Sequence, residues 1–83
     1  MGPLLKVLEG RKIMADRYVL NLNQQLNGDY EVHKVGCSYF PKDSYEDLGT
    51  HNYCSSAVIE AKLKHPFKKI NGCYYCANSC HTR

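Results

Sequence analysis

Three of the five cysteines in this 83-residue chain fall within Cys73-Tyr74-Tyr75-Cys76-Ala77-Asn78-Ser79-Cys80, and His81 follows directly. Upstream, His33 and Cys37 form a second closely spaced pair. A C-x2-C joined to a distant H-x3-C has the spacing of a four-ligand zinc site. Thiolate and imidazole are the ligand types zinc prefers, and each short spacing brings two ligands together at little entropic cost. Joining the pairs closes a loop of about 35 residues, which costs a few kcal/mol. A structural zinc contributes about 10 kcal/mol or more at neutral pH, so the metal outweighs the loop. Any fold compatible with this site must therefore bring the first half of the chain and the tail to one place.

A chain of this size makes a single domain. With no Trp and only two Phe, its core is modest, and seven Tyr carry most of the aromatic bulk. Domains this small generally need a metal, disulfides or a partner to hold together. Five cysteines is an odd number, which does not suit a closed disulfide framework. The segment 1–14 does not read as a signal peptide, because the apolar run Pro3-Leu4-Leu5 is broken by Lys6 and then by Glu9, Arg11 and Lys12. We expect it to be a poorly ordered extension, with residues 15–83 as the domain. No stretch has the length of a membrane span. The expected location is cytoplasmic, where thiols stay reduced.

From Arg17 the pattern is regular. Tyr18, Leu20 and Leu22 alternate with Val19, Asn21 and Asn23, as in a half-buried strand. Leu26-Asn27-Gly28-Asp29 reads as a turn, and Tyr30-Glu31-Val32-His33 as the return strand. A two-residue loop would put Tyr30 and Val32 on the face away from Leu20 and Leu22. A three-residue loop over 26–28 pairs 24 with 30 and 22 with 32, so the apolar residues share one face and Gly28 takes the left-handed position. His33 then lies on the other face with Val19, Asn21 and Glu31, at the margin of the sheet. A short third strand is expected near 46–50. A helix is expected over 56–65, capped by Ser55 or Ser56 and stopped by Pro66. Its small residues Ala57 and Ala61 let it approach a sheet closely, with Cys54 on the same face as a buried small hydrophobe. Lys69-Ile70 leads into an Asn71-Gly72 turn. The expected class is α+β: a two- or three-stranded antiparallel sheet packed on one helix, with a Cys-rich C-terminal turn.

Within the zinc reading, Cys37, Cys73 and Cys76 are three ligands, and His33 or Cys80 is the fourth, with His81 as a further choice. Other readings of the same thiols are a redox pair at Cys73 and Cys76, a disulfide-stabilised domain, an iron–sulfur cluster and a reduced, packed set. The redox pair lacks the βαβ context of a thioredoxin, and the spacing does not match common ferredoxin runs. Enzyme signatures are absent: there is no H-E-x-x-H, no phosphate-binding Gly-rich loop and no deaminase H-x-E with P-C-x-x-C. The carboxylates Glu31, Asp43, Glu46, Asp47 and Glu60 form no obvious acid–base pair.

The formal charge of +3 falls to +2 with Zn2+ on three thiolates and one imidazole, too mild to imply nucleic-acid binding. Lys62, Lys64, His65, Lys68 and Lys69 do cluster. They read first as a solvated helix face and loop, and second as a weak nucleic-acid surface with Tyr74 or Tyr75 stacking on bases.

Val32-His33-Lys34-x2-Cys37-x3-Pro41, Leu48-Gly49, Cys54-x2-Ala57-Val58-x2-Ala61-Lys62 and Asn71-Gly72-Cys73-Tyr74-Tyr75-Cys76-x3-Cys80-His81-Thr82 together resemble a family of short uncharacterised bacterial proteins. The resemblance spans about residues 30–82 and is most specific in its final motif. It implies no established activity. A looser likeness is to the Ada-type metal-binding domain, in which thiolates hold the metal and one accepts a methyl group. Carried over, Cys37, Cys73 and Cys76 match ligand-like positions. The basic DNA-contacting segments have no counterpart here, so methyl transfer is not implied. The expected function is a non-enzymatic, zinc-stabilised module that interacts with a protein partner.

Overall fold

The structure is a computed structural model and describes residues 15–82. The extension expected over 1–14 lies outside the described residues. The elements are β1 (Asp16–Asn21), β2 (Asp29–Lys34), β3 (Tyr45–His51), α1 (Cys54–Lys64) and β4 (Lys69–Gly72), followed by a 3-10 turn over Asn78–Cys80. One four-stranded sheet has the order β3-β1-β2-β4. β1 is antiparallel to β2 and β3, whereas β4 runs parallel to β2. The α+β class holds, but the sheet is mixed and has four strands where an antiparallel sheet of two or three was expected.

That extra strand uses the Asn71-Gly72 dipeptide expected to form a turn. A parallel neighbour needs a long crossover, and the chain through β3 and α1 supplies one. Ile70 lies beside Tyr30 and points to the core face, while Asn71 lies beside Glu31 on the other face. Gly72 is a glycine for steric reasons. A Cβ there would sit 2.7 Å from the Cβ of Cys80 and 2.8 Å from the carbonyl oxygen of Ala77.

Tyr18, Leu20, Val32, Leu48 and Ile70 form the sheet side of the core, against Cys54, Ala57 and Ala61 of the helix. Ala57 and Ala61 are fully buried, as expected of small residues that let backbone approach backbone. A bulge between Tyr18 and Val19 leaves Leu48 without a partner in the β1–β3 register. Gly49 at φ +84° provides the turned backbone that such an irregularity needs. The helix begins after Tyr53, whose side chain makes no cap. Ser56, an expected cap, instead donates to the Tyr53 carbonyl and meets His51 Nδ1 at 3.0 Å.

The β1–β2 register differs from the expected one by two residues: Leu20, not Leu22, faces Val32. The connection is longer because its own polar groups satisfy it. Gln25 N donates to Asp29 O, Gly28 N donates to Gln25 O, and Asn27 Oδ1 accepts from Asp29 N. Leu22 N is drawn to Ser44 O instead of to β2. A shift of two preserves the faces, since side chains alternate with period two. Gly28 has the positive φ expected of it, +96°. Leu22 alone loses its place and is exposed.

Candidate metal centre

The pairing of β2 with β4 builds the site. His33 is the partner of Val19 and lies on the sheet face away from the helix. The chain then turns at Gly36, where φ is +101°, and Cys37 N donates to Lys34 O. This turn folds Cys37 back beside His33. On the neighbouring strand Cys73 N donates to Val32 O, which extends the parallel ladder by one bond. A tight turn closed by Ala77 N to Cys73 O then brings Cys76 round. Two short connections on adjacent, parallel strand ends thus deliver two ligands each.

The ligand atoms of His33, Cys37, Cys73 and Cys76 all lie within 4.8 Å of one another. Cys37 Sγ is 3.9 Å from Cys73 Sγ, and Cys76 Sγ is 3.8 Å from His33 Nδ1. A tetrahedral zinc with Zn–S of about 2.3 Å separates its sulfurs by about 3.8 Å, so these spacings fit the ion. The sulfurs also receive backbone N–H groups: Tyr39 N to Cys37 at 3.3 Å and Lys34 N to Cys76 at 3.2 Å. Such donors favour the thiolate form that a metal requires.

Burial works the other way. It pushes the Cys73 thiol up, against the lowering effect of the Cys76 and Tyr75 backbone N–H groups. It also pushes the Cys76 thiol far up, and the neighbouring thiols Cys37 and Cys73 add to the rise. Three thiolates this close repel one another in a poorly solvated place. A divalent cation among them reverses the sign of each such interaction. His33 is shifted down by burial, which keeps its imidazole neutral and its lone pair available.

Nδ1 of His33 faces Cys76 Sγ. Nε2 is buried and has no hydrogen-bond partner among the described residues, but Glu31 Oε1 stands 3.5 Å from it. At that distance the contact is a loose polar approach rather than an aligned hydrogen bond. A carboxylate behind the distal nitrogen of a ligating histidine is the usual support for such a ligand. Glu31 was legible as a partner only through its i, i+2 relation to His33 on one strand face. Among the scattered carboxylates of the sequence it carried no other signal.

Of the expected ligands, the structure brings together Cys37, Cys73, Cys76 and His33 and leaves Cys80 outside. Cys80 Sγ is at bonding distance from Cys54 Sγ, with the Cα atoms 6.3 Å apart. Cys54 is buried as expected, but as half of a disulfide rather than as a free small hydrophobe. His81 also lies outside the cluster, its Nδ1 bonded to Gly72 O at 2.9 Å. The odd cysteine count thus divides into one disulfide and a three-thiol cluster.

Asn71, expected in a turn, lies in β4 instead. It is almost fully buried, donates from Nδ2 to Asp29 Oδ2, and accepts from Thr82 N at Oδ1. It ties the tail to the sheet beside the Cys/His cluster. No family model, curated protein or solved structure matches the chain.

Proposed function

We propose that this chain is a non-enzymatic interaction module whose fold is closed by one structural zinc ion. The four ligands are His33, Cys37, Cys73 and Cys76. One observation carries the reading: four ligand atoms of zinc-preferring type, from two sequence-distant pairs, converge within 4.8 Å. With four protein ligands no coordination position stays open for a substrate, which is the pattern of structural rather than catalytic zinc. The ion would clasp the end of β2 to the end of β4. The Cys54–Cys80 bond supplies a second clasp between the helix and the tail.

The redox alternative at Cys73 and Cys76 is disfavoured by the same surroundings. A reactive thiol needs a lowered pKa, whereas burial raises both. Two of the four lysines that the weak nucleic-acid alternative draws on already have partners: Lys64 lies near Glu46 and Glu60, and Lys68 sits over the Tyr30 ring. Among the described residues no helix is long and apolar enough to cross a membrane.

Native mass spectrometry of protein purified without chelator tests the proposal. One zinc per chain is expected, and EDTA should collapse the dispersed NMR spectrum. Clearly substoichiometric metal together with a spectrum unchanged in EDTA would refute it. Retention on single-stranded DNA at low salt would revive the nucleic-acid alternative.

A further inference from the structure

Beside the metal cluster, on the sheet face away from the helix, lies a groove of about 280 Å3. Asn21, Glu31 and His33 line its sheet side, and Tyr39, Tyr74 and Tyr75 line the other. The three tyrosines are each more than half exposed, in a chain whose core is short of aromatic residues. They form one assembly: Tyr39 stacks on Tyr75 with centroids 4.3 Å apart, and the Tyr74 ring stands at 89° to the Tyr75 ring. The wall therefore presents rings lying in two nearly perpendicular planes. A contiguous, exposed aromatic wall of this kind marks a recognition surface.

The electrostatics select the ligand. A zinc ion on three thiolates and a neutral imidazole leaves the centre with a charge of −1. Glu31 adds a carboxylate to the groove wall; burial pushes its pKa up, His81 opposes the rise and Asp29 adds to it. His33 Nε2 approaches Oε1 of Glu31, which leaves Oε2 to accept from a ligand. The Glu31 side chain is mostly buried but still reachable, at 18% exposure. The groove is thus locally negative on a chain that is positive overall, and its walls are electron-rich rings. Carboxylate plus tyrosine faces is the chemistry that holds an organic cation.

We infer that this groove binds an alkylammonium group, with Glu31 as counter-ion and Tyr39, Tyr74 and Tyr75 as aromatic walls. The inference rests on the interaction-module reading and names the chemistry the partner presents: a lysine-type ammonium. A compact cation on a flexible stem suits a narrow groove with a single carboxylate. A guanidinium would instead favour paired acceptors for its fork.

The test uses the full chain, with its zinc content measured by native mass spectrometry in every sample. Tetramethylammonium, N-acetyl-lysine amide, N-acetyl-arginine amide and the neutral isostere 3,3-dimethylbutanol are titrated and followed by NMR. Saturable shifts around residues 31, 39, 74 and 75 are expected with both ammonium probes, and binding at least tenfold weaker with the neutral isostere. Tighter binding of the lysine amide than of tetramethylammonium would assign the ligand to a peptide lysine, and the reverse order to a quaternary ammonium group. Glu31→Gln and Tyr75→Leu should each weaken binding at least tenfold. Should Glu31→Gln lose zinc, Tyr75→Leu alone carries the comparison. Equal binding of the neutral isostere, tighter binding of the arginine amide, or no saturable shift in zinc-loaded protein would overturn the assignment. Ammonium binding by protein found to contain no zinc would support this inference and overturn the metal reading, so the two fail separately.

Discussion

Gly72→Ala makes the sharpest test of how the tail is seated. The added methyl would meet Cys80 Cβ at 2.7 Å, Ala77 O at 2.8 Å and the Cys80 carbonyl carbon at 2.9 Å. Ordinary carbon–carbon contacts lie at about 3.5–4.0 Å, so the tail must retreat by nearly 1 Å. None of the three atoms is the end of a flexible side chain, so no rotamer change relieves the clash. Overpacking of this kind costs about 1–3 kcal/mol. Alanine recovers about 0.4–1 kcal/mol by restricting the unfolded chain, which is available here because Gly72 has no left-handed φ. The net expectation is a loss of about 1–2 kcal/mol. With a urea m-value near 1 kcal/mol/M for a small domain, the midpoint should fall by about 1–2 M. The displaced segment also carries Cys76, so a chelator competition should show weaker zinc binding in the variant. A midpoint equal to or above that of the parent protein would refute the reasoning, because it would mean that the tail does not pack against β4 as described.

Two further outcomes separate the staples from the core. Replacing both Cys54 and Cys80 by Ser removes a cross-link over a sequence separation of 26. The chain-entropy model then gives a loss of about 3.5 kcal/mol in urea titrations of oxidised protein. The double variant should still bind one zinc by native mass spectrometry, since neither residue is a ligand, and its loss of zinc would place Cys80 in the metal site. Leu20→Ala empties a fully buried position at the centre of the helix-facing core and should cost about 2–5 kcal/mol. Calorimetry of the zinc-loaded variant measures it, and a loss below about 1 kcal/mol would mean that the metal, not the core, sets the stability.

Much of the site could be read along the chain because each half of it is local. His33-x3-Cys37 and Cys73-x2-Cys76 announce their ligands by spacing, and spacing survives any arrangement of the rest. The face carrying His33 was legible for a similar reason. Strand alternation has period two, so a register off by two residues still put His33 with Asn21 and Glu31. The tail resisted reading. Cys80 lies one helical turn beyond Cys76, a spacing as suitable for a ligand as for a structural thiol. Its true partner, Cys54, starts a helix in another part of the chain, and only docking of that helix on the sheet brings the two together. β4 was hidden because four residues containing an Asn-Gly pair read as a turn. The glycine is there to admit Cys80, and the asparagine to hold Thr82.

By itself, the sequence shows which residues are able to bind metal, which faces of β1 and β2 are apolar and that a helix runs through Ala57 and Ala61. These follow from local spacing and side-chain period, which depend on near neighbours alone. Tertiary structure decided that β4 joins β2 in parallel, that His33 rather than Cys80 completes the four-residue cluster, that Cys54 and Cys80 meet, and that three tyrosines and Glu31 share a groove. Each of these is a contact between segments far apart in the chain. Such contacts are selected by the packing of a whole sheet against a helix, and no short window of sequence contains that competition.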